Sequence, residues 1–100
     1  MQKGLVFRNE SFRDPTKPIL LSQAKNRIFI SGIPANKSIE LTAKYSKVIK
    51  DTIKKKIFYV EPLSPKIRID TLKLFSNKKL IKKIGFKIEV AKLPKVTLNG

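Results

Sequence analysis

The chain has 100 residues, the size of one small domain, and its 23 lysine and arginine residues against 7 aspartate and glutamate residues give a formal net charge of +16. The absence of cysteine excludes disulfides and thiolate chemistry, and the absence of histidine excludes imidazole bases and histidine metal cages. No apolar run is long enough to span a bilayer as a helix or to form the core of a signal peptide.

Residues 1–25 differ in character from the rest of the chain. Two X-Pro pairs, Asp14-Pro15 and Lys17-Pro18, break regular structure, and polar residues separate isolated apolar ones along this segment. We expect an extended N-terminal arm with one short strand at Leu5–Arg8. A single basic globular domain is predicted to follow over residues 26–94, and residues 95–100 then form a short C-terminal tail.

The first part of the predicted domain contains a strand and a longer amphipathic segment. Arg27–Ser31 is rich in β-branched and aromatic residues and ends before Gly32, which predicts a strand. Over residues 38–55 a helical projection separates charged from apolar side chains and predicts a helix. The alternative is a pair of strands with a turn near Lys50-Asp51, which the many β-branched residues also favour.

Shorter elements follow toward the C-terminus. Ile57–Val60 is predicted to be a buried strand, and Lys66–Asp70 alternates as a strand with one solvated face. Residues 76–84 suit a short helix with Gly85 just beyond its end, and Phe86–Val90 suits a last alternating strand.

This order of elements, βαββαβ, predicts an α+β fold of the split βαβ, ferredoxin-like type. If both predicted helices are wrong, the chain becomes an all-β sandwich of short strands.

The sequence does not favour an enzyme. Seven carboxylates and two tyrosines are available for acid–base chemistry, and no two of the carboxylates have a spacing that brings them together on one predicted element. The four glycines are too scattered for a phosphate-binding loop. We therefore expect no catalytic residues, no metal and no cofactor.

Lysines dominate two places in the sequence. The run Lys54–Lys56 ends the first predicted helix, where cations also favour the negative end of the helix dipole. The second predicted helix has an all-positive face without the interspersed glutamates of an ordinary solvated helix. Phosphate contact is predicted for both, and the alternative is a solvated surface. The face of the second helix consists of Lys78, Lys79, Lys82 and Lys83.

Aromatic and basic side chains are also predicted to share the open face of the sheet. An exposed aromatic ring between cations is how single-stranded bases are stacked and their phosphates neutralised. The alternative is that these rings belong to the core. This face is predicted to show Arg27, Phe29, Ser31, Arg68, Lys87 and either Phe58 or Tyr59. The candidate binding residues are Arg27, Phe29, Tyr59, Lys66, Arg68 and Lys87.

These features together predict a non-catalytic protein that binds RNA or single-stranded DNA through its phosphates; a ribosomal or other ribonucleoprotein component would be a protein of this kind. One alternative is a structural subunit of a virion or other large assembly, joined to neighbouring subunits by the N-terminal arm. Peripheral binding to an anionic membrane is the least favoured alternative. A cytoplasmic, organelle-encoded or virion protein would fit all of these expectations.

Overall fold

The computed structural model describes residues 5–12, 14, 16–34 and 37–90, and this part of the chain contains strands and no helix. The eight strands are β1 (Val6–Asn9), β2 (Ile19–Leu21), β3 (Asn26–Ser31), β4 (Ile39–Ala43), β5 (Ser46–Lys50), β6 (Ile57–Pro62), β7 (Ile69–Ser76) and β8 (Lys79–Glu89). The protein is therefore a small all-β domain.

The strands form two four-stranded sheets. Sheet A has the order β1-β3-β6-β5, and sheet B has the order β2-β8-β7-β4. Neighbouring strands are antiparallel, except that the short β2 runs parallel to β8. One of the two sheets curls into a half-barrel.

One hydrophobic core joins the two sheets. Side chains alternate along each strand, so that every second residue points toward the core and the residues between them face outward. Because the buried cluster draws on strands of both sheets, their inner faces pack against each other. The cluster consists of Phe7, Leu20, Ile28, Ile30, Ile39, Leu41, Phe58, Val60, Leu72, Leu74, Phe86 and Ile88.

The helix predicted for residues 38–55 is wrong. The segment forms β4 and β5, separated by a sharp corner at Lys44-Tyr45 where the chain leaves sheet B for sheet A. Asp70, which is 1% exposed, fixes this corner by accepting hydrogen bonds from the backbone N–H groups of Lys44 and Tyr45, both at 3.0 Å, and from the hydroxyl of Ser46. The corner shifts the phase of the alternation, and two amphipathic strands out of phase imitate a helical period.

The second predicted helix, over residues 76–84, is also wrong, and with it the ferredoxin-like arrangement. Asn77 and Lys78 form the two-residue turn of the β7–β8 hairpin, with φ angles of 53° and 66°. Gly85 lies inside β8, opposite Thr71, and ends no helix. Of the two fold classes that the sequence left open, the structure has the all-β class, although β7 and β8 are long strands.

The described residues among the first 25 lie in the two sheets and do not form the extended arm that we predicted. In the described part of this segment, β1 pairs with β3 and β2 pairs with β8, and both Phe7 and Leu20 are buried in the core. The strand predicted at residues 5–8 corresponds to β1. The tail predicted for residues 95–100 lies outside the described residues.

Candidate nucleic-acid interface

The outer face of sheet A brings basic and aromatic side chains together. On β3, Ile28 and Ile30 point into the core, so that Arg27 and Phe29 face outward. The strand register then places Tyr59 of β6 beside Arg27 and Ile57 beside Phe29. Alternation in the sequence predicted an outward Arg27 and Phe29 and left Phe58 and Tyr59 as alternatives. The structure places Arg27, Phe29 and Tyr59 on this face and buries Phe58.

Arg8 of β1 completes the row, because it lies directly opposite Phe29 on the side away from Ile57. Its side chain is exposed. The ring of Phe29 is therefore flanked by two arginines, Arg8 across the strands and Arg27 along β3.

The loop between β5 and β6 supplies the lysines. Asp51 holds the loop in place: its Oδ1 accepts hydrogen bonds from the backbone N–H groups of Ile53 at 2.8 Å and Lys54 at 2.9 Å, and its Oδ2 accepts one from the Tyr59 hydroxyl at 3.0 Å. Lys56 anchors the other end of the loop, because its Nζ donates a hydrogen bond to the backbone carbonyl of Ile33. Lys54 and Lys55 lie between these anchors and are exposed.

These contacts shift the pKa values of two ionisable groups, Asp51 and Tyr59. The hydrogen bonds from Lys54 N–H, Ile53 N–H and Tyr59 favour the ionised carboxylate and lower the pKa of Asp51 below its ordinary value of 3.8. The same hydrogen bond to Asp51, together with desolvation, raises the pKa of Tyr59 above 10.0. Both groups therefore keep their hydrogen-bonded forms at neutral pH.

An open groove of about 470 Å³ runs between this loop and the sheet, and we call it the sheet A groove. Glu10 pairs with Arg27, with 3.1 Å between the carboxylate Oε1 and the guanidinium Nε, and neutralises part of the charge at one end. The three lysines keep the groove positive despite this pair. Its lining residues are Glu10, Arg27, Phe29, Lys54, Lys55, Lys56 and Ile57.

The other predicted binding residues lie away from this groove. Lys66 and Arg68 precede β7, and Lys87 faces outward on β8, where its Nζ is 3.9 Å from the Glu89 carboxylate. Arg68 and Lys87 border a separate apolar hollow around Ile69 on sheet B. The single basic face that the sequence predicted is thus divided between two sheets.

The structure also separates the four lysines that were predicted to share one helical face. Lys78 occupies the hairpin turn, and Lys79 is the first residue of β8. Lys82 turns inward and its Nζ lies 3.4 Å from the Leu5 carbonyl, whereas Lys83 faces outward opposite Lys73. A strand sends neighbouring side chains to opposite faces, so these lysines cannot form one surface.

Sequence analysis missed Arg8, Glu10 and Ile57 as part of this surface. The parity of β6 could have indicated Ile57, because it shares a face with Tyr59. Arg8 and Glu10 join the site only through the pairing of β1 with β3, which is a contact between distant segments that no local pattern records.

Other kinds of site find no support in the described residues. They contain no group of three acidic, cysteine or histidine residues that could hold a metal ion. The described residues also contain no helix that is long and apolar enough to cross a membrane.

Comparison with known proteins does not assign this chain to a family. No protein-family model matches this sequence, and comparison with the curated proteins and with the solved structures gives no match either.

Proposed function

We propose that this protein is a non-catalytic nucleic-acid-binding domain that holds single-stranded RNA or DNA in the sheet A groove. The observation that carries the proposal is the meeting of an outward aromatic ring, Phe29, with a basic loop, Lys54–Lys56, around one open groove. Proteins that bind single strands combine these two elements, because an aromatic face stacks with any base and cations follow the backbone.

The geometry supports a different binding role for the aromatic ring, the loop lysines and Arg27. Phe29 is half-buried and rests on the sheet, so it can offer a ring edge or face at little cost in conformational entropy. Lys54 and Lys55 are exposed on the loop rim and can each reach a phosphate. Arg27 is held by Glu10 and acts as a positioned cation beside the ring.

The decisive experiment measures the affinity of the protein for short single-stranded RNA, single-stranded DNA and duplex DNA at several salt concentrations. For single strands, each phosphate contact contributes about −0.7 to the slope of log K against log salt. The double variant Lys54→Gln/Lys55→Gln should therefore flatten the slope by about 1.4. Lys78→Gln/Lys79→Gln removes the same charge at the hairpin turn and serves as the matched control, with an unchanged slope expected.

A second variant separates stacking from charge. Phe29→Leu keeps an apolar side chain on the sheet but removes the ring, and loss of one stacked base costs about 1–3 kcal/mol. Affinity for single strands should fall about tenfold while the salt slope stays the same. Equal losses in the groove variants and in the hairpin control would mean that only the net charge matters, and the groove assignment would be abandoned.

A second candidate is a structural subunit of a larger assembly, favoured by the all-β fold and by two adjacent exposed apolar residues on β8, Leu80 and Ile81. Their exposed fractions are 50% and 41%. Weak binding to all three nucleic acids at low salt would put this candidate first. Sedimentation velocity should then show self-association that Leu80→Ser/Ile81→Ser abolishes.

A further inference from the structure

The outer face of sheet B carries a second basic surface, built from two rows of side chains across β4, β7 and β8. The register places Thr42, Lys73 and Lys83 side by side in the first row. In the second row, Thr71 lies opposite Gly85. Lys44, at the end of β4, closes the surface at its edge. These residues enclose a hollow of about 410 Å³, the lysine–threonine hollow, lined by Thr42, Ala43, Lys44, Thr71, Lys73 and Lys83.

Like charges meet in this hollow. Lys73 and Lys83 are direct cross-strand partners, which brings their Cβ atoms to about 5 Å and destabilises an antiparallel pair. No carboxylate lines the hollow. Among the described residues, neither of the two ion pairs includes a lysine of this surface. No ion pair among the described residues therefore relieves this local repulsion.

The hollow also contains two threonine hydroxyls, and the approach to the Thr71 hydroxyl is open on one side. Thr42 is exposed, and Thr71 lies beside Gly85, which has no side chain to cover it. A Cβ at Gly85 would meet only Ile69 Cγ2, at 4.0 Å, so the space beside Thr71 on the Gly85 side is free.

The backbone around the hollow is fixed in advance. Asp70, the neighbour of Thr71, accepts the hydrogen bond of the Lys44 N–H at 3.0 Å and so ties the end of β4 to β7. The Lys44 Nζ lies 5.2 Å from the centre of the Tyr45 ring, a distance typical of a cation–π contact. A ligand would thus meet a fixed backbone and a positioned Lys44 ammonium, which lowers the entropic cost of binding.

We propose that the lysine–threonine hollow is a binding site for a tetrahedral oxyanion of the phosphate or sulfate class. Three ammonium groups and two hydroxyls can all donate hydrogen bonds to such an anion, and charge-assisted hydrogen bonds of this kind are the strong ones. The anion would also neutralise the opposed charges of Lys73 and Lys83. The site is separate from the sheet A groove and does not depend on the function proposed for that groove.

The test is an NMR titration of the isotope-labelled full chain with sodium phosphate, sodium sulfate and sodium chloride at equal ionic strength. Phosphate and sulfate should give saturating shifts confined to the amides of residues 42–44, 71–73 and 83–85, and chloride should give none. Linear shifts, or the same shifts in chloride, would show charge screening only and overturn the proposal. A pentanucleotide without terminal phosphates, added in parallel, distinguishes a free dianion from the phosphodiesters of a strand as the preferred source.

Matched variants test the assignment to these side chains. Lys83→Gln removes one charge-assisted contact and should weaken phosphate binding about tenfold. Lys79→Gln removes the same charge from the same strand outside the hollow and should leave the dissociation constant unchanged. Equal weakening by both variants would overturn the site. Lys54→Gln/Lys55→Gln should keep phosphate binding intact, which separates failure of this proposal from failure of the groove.

A charge reversal gives a second, independent readout. Lys73→Glu places a carboxylate opposite Lys83, so it should raise the Tm in chloride while removing the extra Tm increase that phosphate gives the natural chain. Phosphate and sulfate also stabilise folded proteins in general. If they raise the Tm of both proteins equally, that general effect is the whole explanation and the site does not exist.

Discussion

Replacing Asn26 with alanine should lower the free energy of unfolding by about 3 kcal/mol, although no charge or large apolar group is lost. The Asn26 side chain is fully buried and connects both sheets. Its Oδ1 accepts from the Leu21 N–H at 2.8 Å and from the Asn9 Nδ2 at 3.0 Å, and its Nδ2 donates to the carbonyls of Leu21, Ala24 and Val60 at 2.9–3.0 Å.

The magnitude follows from what alanine would leave behind. Each net hydrogen bond is worth about 1 kcal/mol, and a buried donor or acceptor without a partner costs about 1–3 kcal/mol. Asn9 keeps its bond to the Ile19 carbonyl at 2.8 Å, so the main losses are the partners of Leu21 N–H and of the Leu21, Ala24 and Val60 carbonyls. Water entering the partly exposed side of this network limits the total.

Urea unfolding measures the effect. With an m-value of about 1.5 kcal/mol/M, the midpoint should fall by about 2 M while m stays constant. Asn26→Asp keeps the size and the acceptor but points a carboxylate oxygen at carbonyl oxygens, and it should be at least as destabilising. A loss below about 1 kcal/mol for Asn26→Ala would refute the idea that this side chain ties β2 to sheet A.

Three further predictions use the same protein and simple assays. Ser22→Ala should be neutral or stabilising by up to about 1 kcal/mol in urea unfolding, because the Ser22 Oγ is buried without a hydrogen-bond partner in the described structure; a loss of stability would reveal a hidden partner. Lys78→Gly should stabilise the hairpin by about 1 kcal/mol, since a type I′ turn needs positive φ at both central residues and Lys78 has 66°; a lower urea midpoint would refute this. Asp51→Asn in a Tyr45→Phe background should bring the tyrosinate absorbance midpoint of Tyr59 back toward 10.0, and no change would mean that the hydrogen bond is absent in solution. The raised pKa of Tyr59 contributes stability that is present below pH 10.0 and is lost as the pH rises through the folded-state pKa. The lowered pKa of Asp51 contributes stability that is present above pH 3.8 and is lost as the pH falls through the folded-state pKa.

Local patterns predicted a strand well where the whole strand was one uninterrupted run of strand-forming residues. The predicted strands at residues 27–31 and 57–60 are confirmed as β3 and β6, because each is a short run rich in β-branched and aromatic residues that is followed by turn residues. The same alternation predicted that Arg27 and Phe29 share a face. What it could not predict was the neighbouring strand, so Arg8 and Glu10 remained hidden.

Asp70 shows why the longer segments were misjudged. In sequence, Lys66–Asp70 alternates with the charged residues on one face, which placed Asp70 on the solvated side. In the structure Asp70 belongs instead to the buried parity of Leu72 and Leu74, where it holds the Lys44-Tyr45 corner 25 residues away. A buried carboxylate with backbone partners cannot be told from a solvated one by its periodicity.

The same charge that supports the proposed binding destabilises the folded state. Unpaired lysines on the outer faces of both sheets repel one another across a domain that measures 29 and 23 Å in its two shorter dimensions. At about 0.01 M salt the Debye length is about 30 Å and every charge acts on every other, whereas at 0.15 M it is about 8 Å and only neighbours interact. Added salt should therefore stabilise the folded protein and weaken its hold on a polyanion. An anionic partner of the proposed kind would provide both neutralisation and contacts, so its binding would be thermodynamically linked to folding stability through these exposed lysines.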